Sequence, residues 1–144
     1  MKHIERTITV DKPAERVWEY LSDFRSTNDW DPGTVLTERT SGDGGAGTTY
    51  RNTSKFLGRE SELEYTVTEV VPGRRITLEG RNKSVTSRDT ITVDPTPAGG
   101  TVVTYFAEME LRGVAAVGTP VLDLPLKKLG DDAKRSLTRA LDRL

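Results

Sequence analysis

The sequence contains no cysteine, which excludes disulfides, thiolate catalysis and cysteine-ligated metals. Its single histidine, His3, sits at the extreme N-terminus, so no Ser-His-Asp or Cys-His arrangement of the usual kind is available. With only carboxylates left as ligands, a zinc site is not expected, and neither a metal nor a cofactor is expected. Long apolar runs are also missing: the longest are a few residues, too short to span a membrane. Nor is there an excess of charge of one sign. The 21 Lys and Arg against 22 Asp and Glu leave a formal net charge of −1, with the signs interspersed, whereas a nucleic-acid surface carries a basic excess or stripe. The nearest approach to such a stripe, Arg74-Arg75 with Arg81 and Lys83, reads as a solvated strand face. No nucleic-acid partner is expected. The start Met1-Lys2-His3-Ile4-Glu5-Arg6 is charged and leads into alternating residues, so it does not read as a secretory signal. The expected location is cytoplasmic.

What is present is the pattern of an α+β domain. A length of 144 residues supports one core and not two, and no linker or repeat interrupts it, so one domain over 1–144 is expected. Residues 4–10 alternate, with Ile4, Arg6, Ile8 and Val10 on one side, and read as a strand. Asp11 offers an N-cap and Pro13 a first-turn proline. Ala14, Val17, Trp18, Leu21 and Phe24 then recur at helical spacing, predicting a helix over about 12–21 and a second short piece ended by Asp31-Pro32-Gly33.

Strands follow over 34–40, 48–56, 60–71, 74–81, 84–93 and 101–111. They are separated by the glycine-rich turn Gly42–Gly47, by Leu57-Gly58-Arg59, by a two-residue Pro72-Gly73 hairpin and by the long turn 94–100. Gly42–Gly47 lacks the Lys-Ser/Thr and the helix of a phosphate loop. Strands joined by such short turns form an antiparallel meander, since parallel pairs need long crossovers. At the C-terminus the period changes. Thr119-Pro120 reads as a helix start, and Leu122, Leu126, Leu129, Ala133, Leu137, Leu141 and Leu144 recur every three or four residues. This predicts an amphipathic helix of about 24 residues, or about 36 Å at 1.5 Å per residue. Pro125 and Gly130 inside it predict a bend or break.

The order β-α-α-β-β-β-β-β-β-α is that of a helix-grip fold, about seven curved antiparallel strands wrapped around a long C-terminal helix. Here the chain resembles the SRPBCC superfamily (START-like, Bet v 1-like) and its polyketide cyclase/dehydrase-type branch. The resemblance lies in Thr7–Pro32 (TITVDKPAERVWEYLSDFRSTNDWDP), Gly45–Arg51, Glu69–Gly80, Pro97–Tyr105 and Leu126–Leu144, and so covers nearly the whole chain. It implies a cavity between the concave sheet and the last helix, used by members to hold lipids, sterols, hormones or aromatic polyketides. Some members are aromatase/cyclases and many only bind, and fold alone does not choose among them.

Candidate residues follow from face parity. Asp89 shares a face with Ile91 and Val93. Pointing inward it would orient a ligand hydroxyl or act as a base with a raised pKa; the alternative is a rim or bulge position. Glu60, Glu62 and Glu64 fall on a wet face, because three like charges converging in an apolar cavity would be costly. Trp18 is expected to pack on the sheet. Trp30 lies in the segment that closes the cavity mouth in the family, as core, lid or ligand contact. Tyr65 and Tyr105 share faces with aliphatics and should line core or cavity, each hydroxyl needing a partner. Of the neighbours Arg51 and Asn52 one faces inward, and Asn52 is the easier to bury beside a ligand carbonyl. The full expected ligand-binding set is Trp30, Tyr50, Asn52, Leu63, Tyr65, Ile76, Leu78, Tyr105, Met109, Leu122 and Leu126. The Gly113–Thr119 loop is a candidate mouth. The leading expectation is a binder of an apolar small molecule, as monomer or homodimer. The alternatives are a polyketide cyclase/dehydrase, or an interaction module of co-chaperone or toxin type.

Overall fold

Alternating apolar and polar residues place one face of each strand in a core and leave the other wet. The structure, a computed structural model, describes residues 2–113 and 122–144. Its strands are β1 (Lys2–Val10), β2 (Thr34–Ser41), β3 (Thr49–Phe56), β4 (Arg59–Val71), β5 (Arg75–Arg81), β6 (Val85–Pro95) and β7 (Thr101–Leu111). They form one antiparallel sheet in the order β1-β7-β6-β5-β4-β3-β2. Every pair from β2 to β7 is a sequence neighbour, and β1 closes onto β7 from Lys2↔Met109 to Val10↔Thr101. Register shifts in β2 against β3 and in β4 against β5 mark irregularities of the kind that bend a strand and curve a sheet.

Between β1 and β2 lie α1 (Ala14–Leu21), a 3₁₀ turn (Phe24–Ser26) and the one-turn α2 (Thr27–Trp30); the long helix α3 (Asp123–Asp142) follows β7. This is the expected helix-grip architecture. None of these helices is long and apolar enough to cross a membrane.

The concave face and α3 enclose the core. At the C-terminal half of α3, Leu137, Ala140 and Leu141 pack with Ile8, Val10, Val17 and Leu21. Leu141, Val17, Val93 and Val103 are completely buried there, each such side chain contributing about 1.5–3 kcal/mol. Trp18 is half-buried and packs against the same cluster. The wet face is as expected, with Glu60, Glu62 and Glu64 exposed.

Several local expectations are corrected. Helix α3 runs unbroken through Pro125 and Gly130. Pro125 is in the first turn, where a missing N–H costs nothing. Gly130 allows close approach instead of a bend: a Cβ there would lie 2.6 Å from Ile4 Cγ2 and 2.8 Å from an Arg6 guanidinium nitrogen. The helix has 20 residues, and the Thr119-Pro120 start lies outside the described residues, as does the loop 114–119. Helix α1 begins after Pro13 with no side-chain cap, so Asp11 does not cap it.

The Pro72-Gly73 connection spans three residues. Arg74 N–H donates to Val71 C=O at 2.9 Å with Gly73 at φ +76°, a turn in which the second central residue needs positive φ. The two-residue hairpin is instead Leu57-Gly58, with Phe56 paired to Arg59. Leu57 (φ 53°) and Gly58 (φ 77°) both have positive φ, as a type I′ turn requires.

Candidate functional site

Toward the N-terminal half of α3 the helix and sheet part, leaving a cavity of about 210 Å³. Its roof is Leu122, Leu126, Leu129, Gly130 and Ala133 from α3; its floor comes from β3, β4, β6 and β7, with Phe24 and Asp31 at one side and Lys2 and Ile4 of β1 at the other. For comparison, an engineered apolar cavity of about 150 Å³ stays dry and takes benzene.

Small residues make the room. In the row Leu78–Asp89–Ala107–Ile4, Ala107 presents only a methyl beside Asp89. In the adjacent row Tyr65–Gly80–Ser87–Met109, Gly80 has no side chain. Tyr65 lies across that gap: a Cβ on Gly80 would sit 2.7 Å from its ring atoms. The ring thereby extends over β5 toward Ser87 of β6, while its other side meets Phe24 at a centroid distance of 4.8 Å.

The polar end centres on Asp89, which points inward and is 5% exposed. Ser87 Oγ donates to its Oδ1 at 2.8 Å and the Tyr105 hydroxyl to its Oδ2 at 3.1 Å. Burial pushes the Asp89 carboxyl up from its ordinary 3.8 to about 6, the two donors opposing and the charge of Asp31 reinforcing the rise. Burial also raises the Tyr65 and Tyr105 hydroxyls well above the usual tyrosine range, with the Asp89 charge adding to it. Tyr105 is held from behind by Trp30, edge to face at 5.3 Å. These groups form a proton-bearing network in a low-dielectric wall, able to orient a ligand hydroxyl or amine and to exchange a proton near neutral pH.

Asp31 is the acid that sequence reading missed, since Asp-Pro-Gly looked like a helix terminator. Its carboxylate accepts from Gly33 N–H and from Thr34 Oγ1, both at 2.9 Å. This is the local turn that aspartate favours, and it leaves the group bordering the cavity, where burial raises its pKa. No periodic signal announces such a residue.

Of the expected ligand-binding set, the cavity brings together Asn52, Leu63, Tyr65, Tyr105, Met109, Leu122 and Leu126, along with Asp89. It does not include Trp30, Tyr50, Ile76 or Leu78. Those four are all but completely buried: Ile76 and Leu78 lie in the core cluster with Val17 and Leu21, and Trp30 packs on Tyr105 with its Nε1–H donated to Ser26 Oγ at 3.1 Å. Tyr50 packs on Phe24 at 5.7 Å and its hydroxyl has no partner among the described residues. Asn52 borders the space, but its amide protons already go to Thr37 Oγ1 at 2.8 Å and Thr34 Oγ1 at 3.2 Å, and Ser54 Oγ donates to its oxygen. It stabilises the wall and has no proton left for a ligand carbonyl.

The family model for polyketide cyclase / dehydrase and lipid transport proteins matches residues 1–144. The chain belongs to this polyketide cyclase/dehydrase and lipid transport family. No curated protein matches it in sequence. Among solved structures, this family member resembles the Zhui aromatase/cyclase from Streptomyces sp. R1128, with a TM-score of 0.81 at 18% identity over 99% of this chain and 94% of that one. It also resembles TTHA0849 from Thermus thermophilus, with a TM-score of 0.78 at 18% identity over 99% and 95% of the two chains. A START superfamily protein from Mycobacterium smegmatis is similar at a TM-score of 0.74 and 16% identity over 97% and 94%. At such identities the likeness is one of fold, and the chemistry rests on this cyclase/dehydrase-family cavity itself.

Proposed function

We propose that this protein binds a largely apolar small molecule, lipid-, sterol- or polyketide-like, in the cavity between its sheet and α3. The observation that carries the reading is the cavity of about 210 Å³, walled mainly by aliphatic and aromatic side chains, with buried polar groups centred on Asp89 and others, such as Asn52 and Ser54, on β3. Apolar walls with a few placed polar groups are the usual design of a small-molecule site. The test is a thermal-shift and native mass-spectrometry screen against lipids, sterols and aromatic polyketides, run on wild type and on Ala107→Phe, which fills the space beside Asp89. A ligand at about 100 times its Kd should stabilise the wild type by about 2.7 kcal/mol and leave the filled variant unshifted. If nothing apolar binds, or if the filled variant responds equally, the reading falls.

One observation favours a second reading, a cyclase or dehydrase. A carboxyl with a pKa of about 6, hydrogen-bonded to a tyrosine and facing an enclosed space, suits general acid–base work, since such groups act best near the operating pH. The fold shared with an aromatase/cyclase is consistent with it. Such a protein would mainly hold a flexible chain in a reactive conformation, with Asp89 moving the proton. Turnover of a confirmed substrate unchanged in Asp89→Asn, Tyr65→Phe and Tyr105→Phe would refute these assignments.

A further inference from the structure

The polar wall of the cavity is unbalanced. Several of its hydrogen-bond donors are already engaged: Ser87 Oγ and the Tyr105 hydroxyl on Asp89, both Asn52 amide protons on threonines, Ser54 on Asn52 and Thr34 on Asp31, while the Tyr65 hydroxyl lies beside Ser87. The acceptors are not exhausted. A carboxylate offers about four lone-pair sites, and Asp89 receives two hydrogen bonds while Asp31 receives two.

Of the described residues, only Lys2 and Lys55 bring positive charge to the border of the cavity. Among the described residues no cation pairs with either acid. Around Asp89, β4 contributes Tyr65, β7 Tyr105 and the loop after α2 Asp31. From β1 and α3 the bordering charges are engaged elsewhere, Lys2 with Asp123 at the rim and Arg6 with Asp131. Lys55 of β3 is exposed, and residues 114–121 include no charged side chain. Two acids without a cation border one enclosed apolar space.

We infer that the ligand this cavity selects carries a protonated amine at one end of an apolar ring body, with the ammonium seated at Asp89 and Asp31. This rests on the reading of the cavity as a small-molecule site and names the class of molecule it takes. An ammonium brings donors for the open lone pairs and the cation that neither acid has. A carboxylate or phosphate in the same place would meet two like charges in a low-dielectric site, and a neutral alcohol would satisfy a lone pair without offsetting the charge.

The experiment is isothermal titration of the protein with three probes sharing one ring system: naphthylmethylamine, naphthalenemethanol and naphthoic acid. At about pH 7.5 the amine should bind at least about tenfold more tightly than the alcohol, the scale of a hydrogen bond to a charged group, and the acid most weakly. The preference should shrink toward about pH 5 as Asp89 takes up a proton while the amine stays charged. It should also fall to within about threefold in Asp89→Asn. Asp31→Asn, which keeps an acceptor for Gly33 and Thr34, serves as the second variant should the first not fold, and should also reduce the preference. If the alcohol binds as tightly as the amine, or the acid binds best, the amine inference is overturned while the cavity reading stands. If none of the three binds, the amine inference is overturned, and the cavity reading is decided separately by the lipid, sterol and polyketide screen.

Discussion

Replacing Asp89 by asparagine should make the unliganded protein more stable at neutral pH, although it alters a buried hydrogen-bonded group. The Asp89 carboxyl is pushed from 3.8 up to about 6 in the folded protein, so the native state binds this proton more tightly than the unfolded chain does. Stability from this group is therefore greatest in acid, declines as pH rises from about 4 to about 6, and stays low above that. The full difference, at 1.36 kcal/mol per pKa unit, is about 3 kcal/mol. The residue is 5% exposed, so little of this is screened by solvent.

Asparagine never pays that cost. It keeps an acceptor for Ser87 and offers an amide proton to the Tyr105 oxygen, but it exchanges charge-assisted for neutral hydrogen bonds, a loss of about 1–2 kcal/mol. The net is a stabilisation of about 1–2 kcal/mol at pH 7, worth about 3–7 °C in Tm for a chain of this size. At about pH 4 the variant should equal or fall slightly below the wild type. Urea titrations at several pH values, with the slope m checked for constancy, measure this directly. A variant less stable than wild type at pH 7, by an amount that does not change with pH, would refute the reasoning: the carboxylate would then be held by its partners more firmly than burial opposes it.

Three further outcomes concern glycines and a turn. Gly80→Ala places a methyl 2.7 Å from the Tyr65 ring and should cost about 1–3 kcal/mol by overpacking; chemical denaturation checks it, and a neutral result would mean Tyr65 does not rest on β5. In Gly130→Ala two effects compete, a helix-propensity gain of about 1 kcal/mol and a clash with Ile4 and Arg6 at 2.6–2.8 Å worth about 1–3 kcal/mol. The clash should win, lowering Tm, and a raised Tm would show that the helix stands farther from β1. Leu57→Asn should raise stability by about 0.5–1 kcal/mol in urea unfolding, because Leu57 is 63% exposed at φ 53° and Asn-Gly is the favoured type I′ pair. A loss of stability there would mean that Leu57 makes contacts its exposure does not show.

The strands and their inward faces were legible because one wet and one buried face impose a period of two. Parity alone pairs Asp89 with Ile91 and Val93, and it turns inward with them. Parity says nothing about position along a strand relative to the helix above. Leu63, Tyr65, Ile76 and Leu78 all face inward, yet the first two border the cavity and the last two lie in packed core. That difference depends on where α3 leaves the sheet, and the leucine spacing does not encode it. Pro125 and Gly130 carried a signal about α3, but propensity reads glycine as a weak point in a helix. Here it is a point of close approach to β1, a tertiary fact that overrides the local one. Asp31 was hidden for a related reason: its carboxylate belongs to a turn, and turn residues have no period.

The contact at Gly130 makes the roof of the cavity a lever. The C-terminal arm of α3 is pinned in the core by Leu137, Ala140 and Leu141, the glycine rests on Ile4 and Arg6, and the N-terminal arm, tied to β1 through polar contacts of Lys2 with Asp123 and Arg6 with the Lys127 carbonyl, carries Leu126 and Leu122 over the open space. At 1.5 Å per residue Leu122 lies about 12 Å beyond the fulcrum, so a tilt of roughly 5° raises or lowers it by about 1 Å. If the cavity holds a ligand as proposed, residues far from it, at the pinned arm or at the fulcrum, would set how large a molecule fits. Changes there would alter the size of the space without touching the side chains that line it.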